Sequence, residues 1–406
     1  MESMMKKWIL STIGLSMVTG AQAVTLGDDV FDAEYRVTIR SSHMAEFPLC
    51  SGTLIREQWI LTAAHCVVFP GEDGTNAGDY YVARPGELTI THSAANLETD
   101  ISGDITNFVD VSHVVVHSDY QRLSSVEVTN GDVEQINTEL SNDIALLRIK
   151  YPLPDITPAT LASPEVMAAL ELELISQWPT ESNVARPENV QIHGWGSTDV
   201  YDPWGDAVEL QLQTTSQAFY PIDECFARLE EGKDTPDFIS SAIDPTKICT
   251  NPTQLEQFDD PNTDAEDDGK VYGNSACIGD SGGALLSSLD GTEYQIGIVS
   301  GAPFILPVCG SVTIPSFHTK VSYFYDWINQ VVDSEELPSD TVTPPNFIQN
   351  AQSSEDDEAL PEEGGCDESE TVFVDCGGSD SDSGSVHFIW LLLLSAVAFR
   401  RHFQRR

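Results

Sequence analysis

The segment Asn274–Leu285 reads Asn-Ser-Ala-Cys-Ile-Gly-Asp-Ser-Gly-Gly-Ala-Leu, with Ser281 between an aspartate and a pair of glycines. Glycines allow sharp backbone turns, so the N–H groups of Gly279 and Ser281 are predicted to point together at one developing oxyanion. A serine hydroxyl is a weak nucleophile until a base removes its proton. The segment therefore predicts a nucleophilic serine, provided that the chain supplies a base.

A histidine and an aspartate earlier in the chain are candidates for that base and its partner. His65 lies in Leu-Thr-Ala-Ala-His-Cys (61–66), and Asp143 lies in the largely apolar Ser-Asn-Asp-Ile-Ala-Leu-Leu (141–147). A buried carboxylate beside a histidine can fix the imidazole tautomer and stabilise the imidazolium. Three further motifs accompany these residues: Cys50–Ile55 (Cys-Ser-Gly-Thr-Leu-Ile), Gly194–Gly196 (Gly-Trp-Gly) and Ile298–Ser300 (Ile-Val-Ser).

The order His65, Asp143, Ser281, together with these motifs, resembles the trypsin/chymotrypsin-like serine proteases over roughly residues 24–332. The resemblance implies an all-β fold of two six-stranded antiparallel barrels with a C-terminal helix. The active site would lie in the cleft between the barrels. The implied function is a secreted serine endopeptidase that acts on protein or peptide substrates through an acyl-enzyme intermediate. The implied oxyanion hole is formed by Gly279 and Ser281, and no cofactor or metal is expected.

Patterns along the chain agree with this fold class. Short strand-like runs such as Tyr35–Arg40 and Val111–Val116 alternate with turn-rich segments such as Gly71–Gly78. Helical periodicity is clearest late in the domain, over Val321–Val332. The chain is thus expected to consist of many short strands followed by one closing helix.

The resemblance also assigns residues to the primary specificity pocket. Ser275, six positions before the nucleophile, would form the pocket floor, and Ser300, Ala302 and Ser316 would line its walls. Cleavage after Arg or Lys needs a carboxylate in that pocket, because a buried cation must be paired. Ser275 supplies none, so we expect uncharged, small or medium apolar residues at P1, the substrate residue whose side chain enters the pocket.

Activation in this family follows a cut that frees an α-ammonium group, which then pairs with the aspartate before the nucleophile, here Asp280. The resemblance places that new N-terminus at Val24. No Lys or Arg occurs between Lys7 and Arg36, so a tryptic cut cannot release Val24. Signal peptidase acting after Ala23 would release it directly, which predicts that export and activation are one event.

The first 23 residues read as a secretory signal peptide, Met1–Ala23. Lys6 and Lys7 form a positive n-region, Trp8–Val18 forms an apolar h-region, and Ala21–Ala23 (Ala-Gln-Ala) forms a small-residue cleavage site. Signal peptidase is therefore an expected partner, and the chain is expected to be exported.

The charge balance is strongly acidic. Asp and Glu number 65 against 19 Lys and Arg, which gives a formal net charge of −46. Such a charge argues against nucleic acid or anionic lipid as partners of the protein body. Its simplest interpretation is a solvated, self-repelling surface.

Eight cysteines in an exported chain suggest disulfide bonds. The family resemblance implies the pairs Cys50–Cys66, Cys225–Cys249 and Cys277–Cys309. That leaves Cys366 and Cys376, which could close a short loop in the tail.

Two segments of the chain are strongly acidic. The segment Asn251–Asn274 is rich in carboxylates, so it could be a hard-cation site or a solvated loop, and the second interpretation is favoured because its spacing matches no EF-hand. The segment 333–376 contains many Asp and Glu, several prolines and no Lys or Arg, which predicts a disordered linker.

The end of the chain, residues 377–406, begins with Gly377-Gly378, continues with the apolar run Val386–Phe399 and ends with a cluster of arginines. This order resembles the GlyGly-CTERM sorting signal of Gram-negative secreted proteins, in which the protease rhombosortase removes the tail. The implied location is the cell surface or the medium, with membrane contact only through this segment. The alternative is an ordinary C-terminal membrane anchor. Such an anchor would be weak, because the apolar run is short for a membrane span.

Two other function classes are less consistent with this sequence than a peptidase. One is a non-catalytic surface-binding protein that keeps a protease fold, and the complete set of His65, Asp143 and Ser281 argues against it. The other is an esterase or lipase, which is disfavoured because strands do not alternate with helices along the chain.

Overall fold

The structure is a computed structural model, and it describes residues 24–43, 45, 47–71, 80–97, 107–129, 132–179, 185–200, 210–258, 270–303 and 307–357. The predicted signal peptide, residues 259–269 of the acidic segment, the Cys366–Cys376 pair and the sorting signal lie outside these residues. Compact units span residues 1–357 and 358–406, and the second unit lies outside the described part.

Strands dominate the described residues. In chain order they are β1 (Asp28–Asp29), β2 (Arg36–Arg40), β3 (Cys50–Arg56), β4 (Trp59–Thr62), β5 (Val68–Pro70), β6 (Tyr80–Val82), β7 (Thr89–Thr91), β8 (Phe108–Val116), β9 (Ser125–Thr129), β10 (Asp132–Asn137), β11 (Ala145–Ile149), β12 (Val190–Gly194), β13 (Gln213–Tyr220), β14 (Lys247–Asn251), β15 (Leu255–Phe258), β16 (Lys270–Gly273), β17 (Ala284–Leu289), β18 (Thr292–Gly301), β19 (Ser316–Lys320) and β20 (Val342–Thr343). The α-helices are α1 (Pro164–Gln177), α2 (Ile222–Leu229), α3 (Tyr325–Val332) and α4 (Asn346–Asp357). Short 3₁₀ turns cover Ala64–Cys66, Pro85–Glu87 and Val321–Phe324.

Two closed barrels account for most of these strands. The first has the order β11-β4-β3-β2-β7-β8 and is closed by β8 and β11, where Leu146 lies opposite Val115. The second has the order β13-β12-β17-β18-β19-β14 and is closed by β13 and β14, where Phe219 lies opposite Thr250. Closure removes the unpaired edges that an open sheet would present. The predicted fold of two six-stranded antiparallel barrels is confirmed.

Each barrel encloses its own core of β-branched and aliphatic side chains. Leu54, Ile60 and Leu147 are fully buried in the first barrel, and Ile192 and Leu285 are fully buried in the second. Complete burial of such a side chain contributes about 1.5–3 kcal/mol. The cores thus hold the two barrels rigid on either side of the cleft.

The predicted closing helix is present as a 3₁₀ turn, Val321–Phe324, followed directly by α3. It follows the second barrel in sequence, but Phe324 and Ile328 pack into the core of the first. The predicted apolar face of this segment therefore packs against the first barrel.

Helix α1 lies in the connection between the barrels. It begins at Pro164 behind the N-cap Ser163, whose side chain accepts a 3.3 Å hydrogen bond from the Val166 N–H. An N-cap of this kind satisfies one of the N–H groups that the first turn leaves free. The helix buries Met167, Leu170 and Leu174 against the second barrel.

Within the predicted acidic linker, 333–376, residues 342–357 contain a short strand and a helix. Strand β20 pairs in parallel with β8, with Val342 opposite Val114. Helix α4 then buries Ile348, and the ring of Phe347 lies edge-on to Tyr80 at 5.9 Å between centroids. A few apolar residues within this acidic segment thus provide enough burial to attach it to the first barrel.

No helix of the described residues is long and apolar enough to cross a membrane. The apolar run Val386–Phe399, on which the expectation of a membrane segment rested, lies outside those residues.

Candidate active site

His65 and Asp143 form the strongest polar contact of the cleft. The Nδ1 atom of His65 lies 2.7 Å from Oδ2 of Asp143, and the backbone N–H of His65 donates a 2.9 Å hydrogen bond to Oδ1. Both carboxylate oxygens are therefore used to hold the histidine. This arrangement fixes the orientation of the ring and leaves its Nε2 atom for other partners.

Asp143 is fully buried, and the second barrel helps to hold it. The hydroxyl of Ser300 donates a 2.6 Å bond to Oδ2, and the hydroxyl of Thr319 donates a 2.8 Å bond to the Asp143 carbonyl. Burial acts to raise the pKa of Asp143. The His65 imidazole and the hydrogen bonds from His65 and Ser300 outweigh burial and hold that pKa below its ordinary value. Asp143 therefore stays ionised in the dry interior.

His65 lies in the short 3₁₀ turn that follows β4. The neighbouring Cys66 is joined to Cys50 of β3 by a disulfide bond. Because β3 and β4 are adjacent strands of the first barrel, this bond braces the turn that presents the histidine. The side chain of His65 is 16% exposed, so the ring lies at the cleft surface while Asp143 lies behind it.

Ser281 lies in a sharp turn between Cys277 and β17. Gly279 has a φ of 100° and Gly282 a φ of 81°, a region that suits glycine. The Ser51 N–H donates a 2.8 Å bond to the Ser281 carbonyl, and the Gly282 N–H donates a 2.8 Å bond to the Val299 carbonyl. The turn is thus attached to both barrels. None of the hydrogen bonds of the described residues uses the N–H groups of Gly279 and Ser281.

Asp280, the residue before Ser281, carries a fully buried carboxylate. Its Oδ1 and Oδ2 atoms each accept a 2.8 Å bond, from the N–H groups of Gly196 and Cys277 respectively. A Cβ atom on Gly194 or Gly196 would overlap this carboxylate, which explains both glycines of the Gly-Trp-Gly motif. Burial raises the pKa of Asp280 to about 7, although the two hydrogen bonds act to lower it.

A cavity of about 310 Å³ connects the candidate catalytic residues. His65, Gly279 and Ser281 line it, together with the Cys277–Cys309 disulfide bond. The described residues show no hydrogen bond between the Ser281 hydroxyl and His65. The two residues are related only in that both line this cavity. Catalytic hydrogen bonds are often long before substrate binds. A larger cavity of about 530 Å³, which Asp32 and Gln295 help to line, shares no residue with it.

Comparison with known proteins agrees with this geometry. The Trypsin family matches residues 27–328, which is most of the chain. The chain belongs to the trypsin family.

Three similar proteins come from three different animals. The chain is 23% identical over 279 residues to CLIP domain-containing serine protease B4 of Anopheles gambiae, which covers 69% of the chain and 61% of that protein. It is 23% identical over 297 residues to vitamin K-dependent protein C of Oryctolagus cuniculus, which covers 73% of the chain and 49% of that protein. It is 26% identical over 284 residues to CLIP domain-containing serine protease HP8 of Bombyx mori, which covers 69% of the chain and 60% of that protein. The chain thus spans roughly half to three fifths of these relatives.

The trypsin-family domain contains the three disulfide bonds that the sequence resemblance implied within residues 24–332. They join Cys50 to Cys66, Cys225 to Cys249 and Cys277 to Cys309. The group Cys50, His65 and Cys66 is close enough to hold a metal ion. Its two cysteines are joined to each other, so they offer no thiolate ligand.

The predicted specificity pocket is only partly reproduced. Ser300, Ala302 and Ser316 line the cavity, but Ser275, predicted as its floor, does not. Ser275 is buried on the side facing the N-terminal segment, where its carbonyl accepts a 2.9 Å bond from the Thr25 N–H. Cavity walls that the sequence interpretation missed are Ala276, Val308, Phe317 and His318.

His318 follows Ser316 by two residues on β19, so strand alternation could have indicated that both face the same side. The Thr250 hydroxyl donates a 2.7 Å bond to Gln217, so its oxygen accepts from Nε2 of His318 at 2.9 Å. Burial lowers the pKa of His318 to about 3. The ring is therefore neutral, with its proton on Nε2, and no described residue bonds its Nδ1 atom.

The predicted ion pair between Val24 and Asp280 is not formed in this uncleaved chain, because the nitrogen of Val24 is an uncharged peptide nitrogen. Val24 is nevertheless fully buried, and its φ of 51° is strained for a β-branched residue. Among the described residues, no cationic side chain contributes to the pKa of Asp280. Val24 is buried next to Thr25, which forms an isolated strand bridge with Ser275.

Proposed function

We propose that this chain is a secreted serine endopeptidase in which His65, Asp143 and Ser281 are the catalytic residues. The observation that carries the proposal is the doubly bonded His65–Asp143 pair, which opens onto the same cavity as Ser281. The proposal includes the activity, substrates and partners of the whole protein, because the chain spans only part of the length of its relatives.

The geometry supports acyl transfer in two steps. Nε2 of His65 removes the proton of the Ser281 hydroxyl as its oxygen attacks the scissile carbonyl carbon. The resulting oxyanion accepts hydrogen bonds from the free N–H groups of Gly279 and Ser281. The C–N bond then breaks as His65 returns the proton to the leaving amine, which leaves an ester on Ser281. Water, activated by His65, attacks the ester and releases the acid and the free serine.

Asp143 stabilises the imidazolium that forms in each step. Its ionised state is secured by the Ser300 hydroxyl as well as by His65 itself. Replacing its carboxylate with an amide would favour the wrong tautomer of His65. The same replacement lowers kcat about 10⁴-fold in the chymotrypsin-like enzymes.

The test compares peptide hydrolysis by Ser281→Ala and Asp143→Asn with that by the unaltered protein. Ser281→Ala should abolish turnover and leave the unfolding transition unchanged, because one hydroxyl at the cleft surface contributes little to packing. Turnover retained in that variant would refute the mechanism. Complete inactivity of the unaltered protein starting at Val24 would favour the alternative of a non-catalytic binding protein.

The preferred P1 residue is proposed to be uncharged and apolar. The support is the cavity wall supplied by the second barrel, which includes Ala276, Val299 and Phe317 and, among its described residues, no Asp or Glu. A peptide library that varies P1 tests this. Faster cleavage after Arg or Lys than after apolar residues would contradict it.

Processing at both ends of the chain completes the proposal. Signal peptidase would release Val24, whose ammonium would pair with Asp280 and order the oxyanion hole. Supporting observations are the buried Val24 and the buried Asp280, which has no cationic partner among the described residues. At the other end, cleavage near Gly377–Gly378 by a rhombosortase-type protease would release the domain to the cell surface or medium. Terminal sequencing and mass spectrometry of the mature protein test both cuts.

A further inference from the structure

The wall of the catalytic cavity contributed by the first barrel carries opposite charges. Among the described residues that line this cavity, Arg122 is the one Lys or Arg and Glu139 the one Asp or Glu. The two residues flank in sequence the hairpin formed by β9 and β10, and Leu140, next to Glu139, lines the same cavity. Within the described part of the cleft, these two residues therefore supply the charges of the cavity wall.

Arg122 is held in place by its backbone and by one nitrogen of its side chain. Its carbonyl accepts a 3.2 Å bond from the Leu140 N–H, and its Nη1 donates a 3.2 Å bond to the Val68 carbonyl. A guanidinium has five N–H donors, so most of them remain available. No ion pair of the described residues includes Arg122, although the whole chain has 65 acidic and 19 basic residues. This cation therefore has no carboxylate partner within the described part of the protein.

Glu139 is held by backbone contacts that do not use its carboxylate. Its N–H donates a 2.6 Å bond to the Asp237 carbonyl, and its own carbonyl accepts a 2.7 Å bond from Nζ of Lys247. Burial raises the pKa of Glu139, although the positive charges of Lys247 and Arg122 act to lower it. Its negative charge thus opposes that of Arg122 without neutralising it by direct contact.

The position of this wall relative to the pocket identifies the substrate residue that it would contact. Leu140 lies against Gly301 at the end of β18, where a Cβ atom on Gly301 would be 3.0 Å from the leucine Cδ1. Ser300 and Ala302, on either side of Gly301, line the cavity. In an extended peptide successive side chains point to opposite sides. When the P1 side chain enters the pocket, the side chain of the preceding residue, P2, points away from it toward this wall.

We propose that Arg122 binds the carboxylate of an Asp or Glu at P2, and that Glu139 limits the strength of this preference. The inference rests on the proposed peptidase function. A salt bridge to an accessible guanidinium is weak, so its effect is a preference among substrates and not a requirement.

The experiment uses paired peptides that differ only by Glu or Gln at P2 and share one apolar P1 residue. The measured quantity is the ratio of kcat/KM for the Glu peptide to that for the Gln peptide. Arg122→Gln should lower this ratio about fivefold. Glu139→Gln should raise it. Raising the salt concentration should reduce both changes, because salt screens exposed charges.

The matched control is Arg84→Gln. Arg84 is exposed and does not line the cavity, so this variant changes the net charge equally but should leave the ratio unchanged. An unchanged ratio in Arg122→Gln, or an equal fall in Arg84→Gln, would overturn the inference. Absence of turnover for every peptide would refute the peptidase function itself, which is a different result from turnover without a P2 preference.

Discussion

The hydroxyl of Ser300 lies 2.6 Å from Oδ2 of Asp143, the same oxygen that faces Nδ1 of His65. Ser300 belongs to the second barrel and Asp143 to the loop before β11 of the first, so this hydrogen bond crosses the cleft. Both barrels therefore contribute to stabilising the charged Asp143. Its contribution can be measured separately from catalysis.

Ser300→Ala should lower the free energy of unfolding by about 1.5–3 kcal/mol at neutral pH, because it removes a hydrogen bond to a buried charge. The folded pKa of Asp143 is lowered, so the loss should be present above the pKa of the unfolded carboxyl and should shrink as pH falls through the folded pKa. Denaturant unfolding from acid to neutral pH measures it. Ser287→Ala is the control, since Ser287 donates to the neutral Asn189 carbonyl at 2.9 Å. An equal, pH-independent loss in both variants would contradict the prediction.

The state of Asp280 should depend on the residue ahead of Val24. In a form that retains Ala23, the folded pKa of Asp280 is about 7 against an ordinary value of 3.8. The unfolded chain then loses the proton first as pH rises, so stability should fall between about pH 4 and pH 7. Asp280→Asn should remove this slope. Protein that starts at Val24 should lack the slope and be far more active, because its ammonium compensates the charge. Equal activity and equal slopes in the two forms would exclude the pairing.

Lys247 should make stability rise in alkaline solution. Burial lowers its pKa to about 8, although Asp244 and Asp143 act to raise it. Above that pH the folded protein releases a proton that the unfolded chain still holds, so stability should increase from pH 8 upward relative to Lys247→Met. Unfolding measurements at pH 7 to 10 test this. The exposed Lys150→Met serves as the control, and a larger pH effect at Lys150 than at Lys247 would contradict the prediction.

The ordered segment after α3 should contribute to the stability of the first barrel. Ile348→Ala should cost about 2–4 kcal/mol, because it leaves a cavity beneath a side chain that is 2% exposed. Gln349→Ala, on the exposed side of the same helix, should cost less than about 0.5 kcal/mol. Denaturant unfolding of the two variants compares them. Equal small effects would mean that α4 detaches without cost in solution.

Local motifs determined much of the site before any tertiary information. The turn around Ser281 was predictable because the backbone conformations of Gly279 and Gly282 are properties of adjacent residues. The order His65, Asp143, Ser281 indicated the two-barrel fold through family resemblance, and the barrels are present. The acidic composition of residues 333–357 did not indicate strand β20 or helix α4, which a few apolar residues such as Ile348 attach to the first barrel.

Only the tertiary structure decided which distant residues meet at the site. Ser300 and Asp143 are 157 positions apart, and their hydrogen bond depends on the register of two separate barrels. The tertiary structure likewise decides that Ser275 does not line the cavity and that Arg122 does. The sequence by itself determined the chemistry of each catalytic side chain, since that belongs to residue type and local turn geometry. The side chains that surround them were decided by barrel closure and long-range strand pairing, which no short motif encodes.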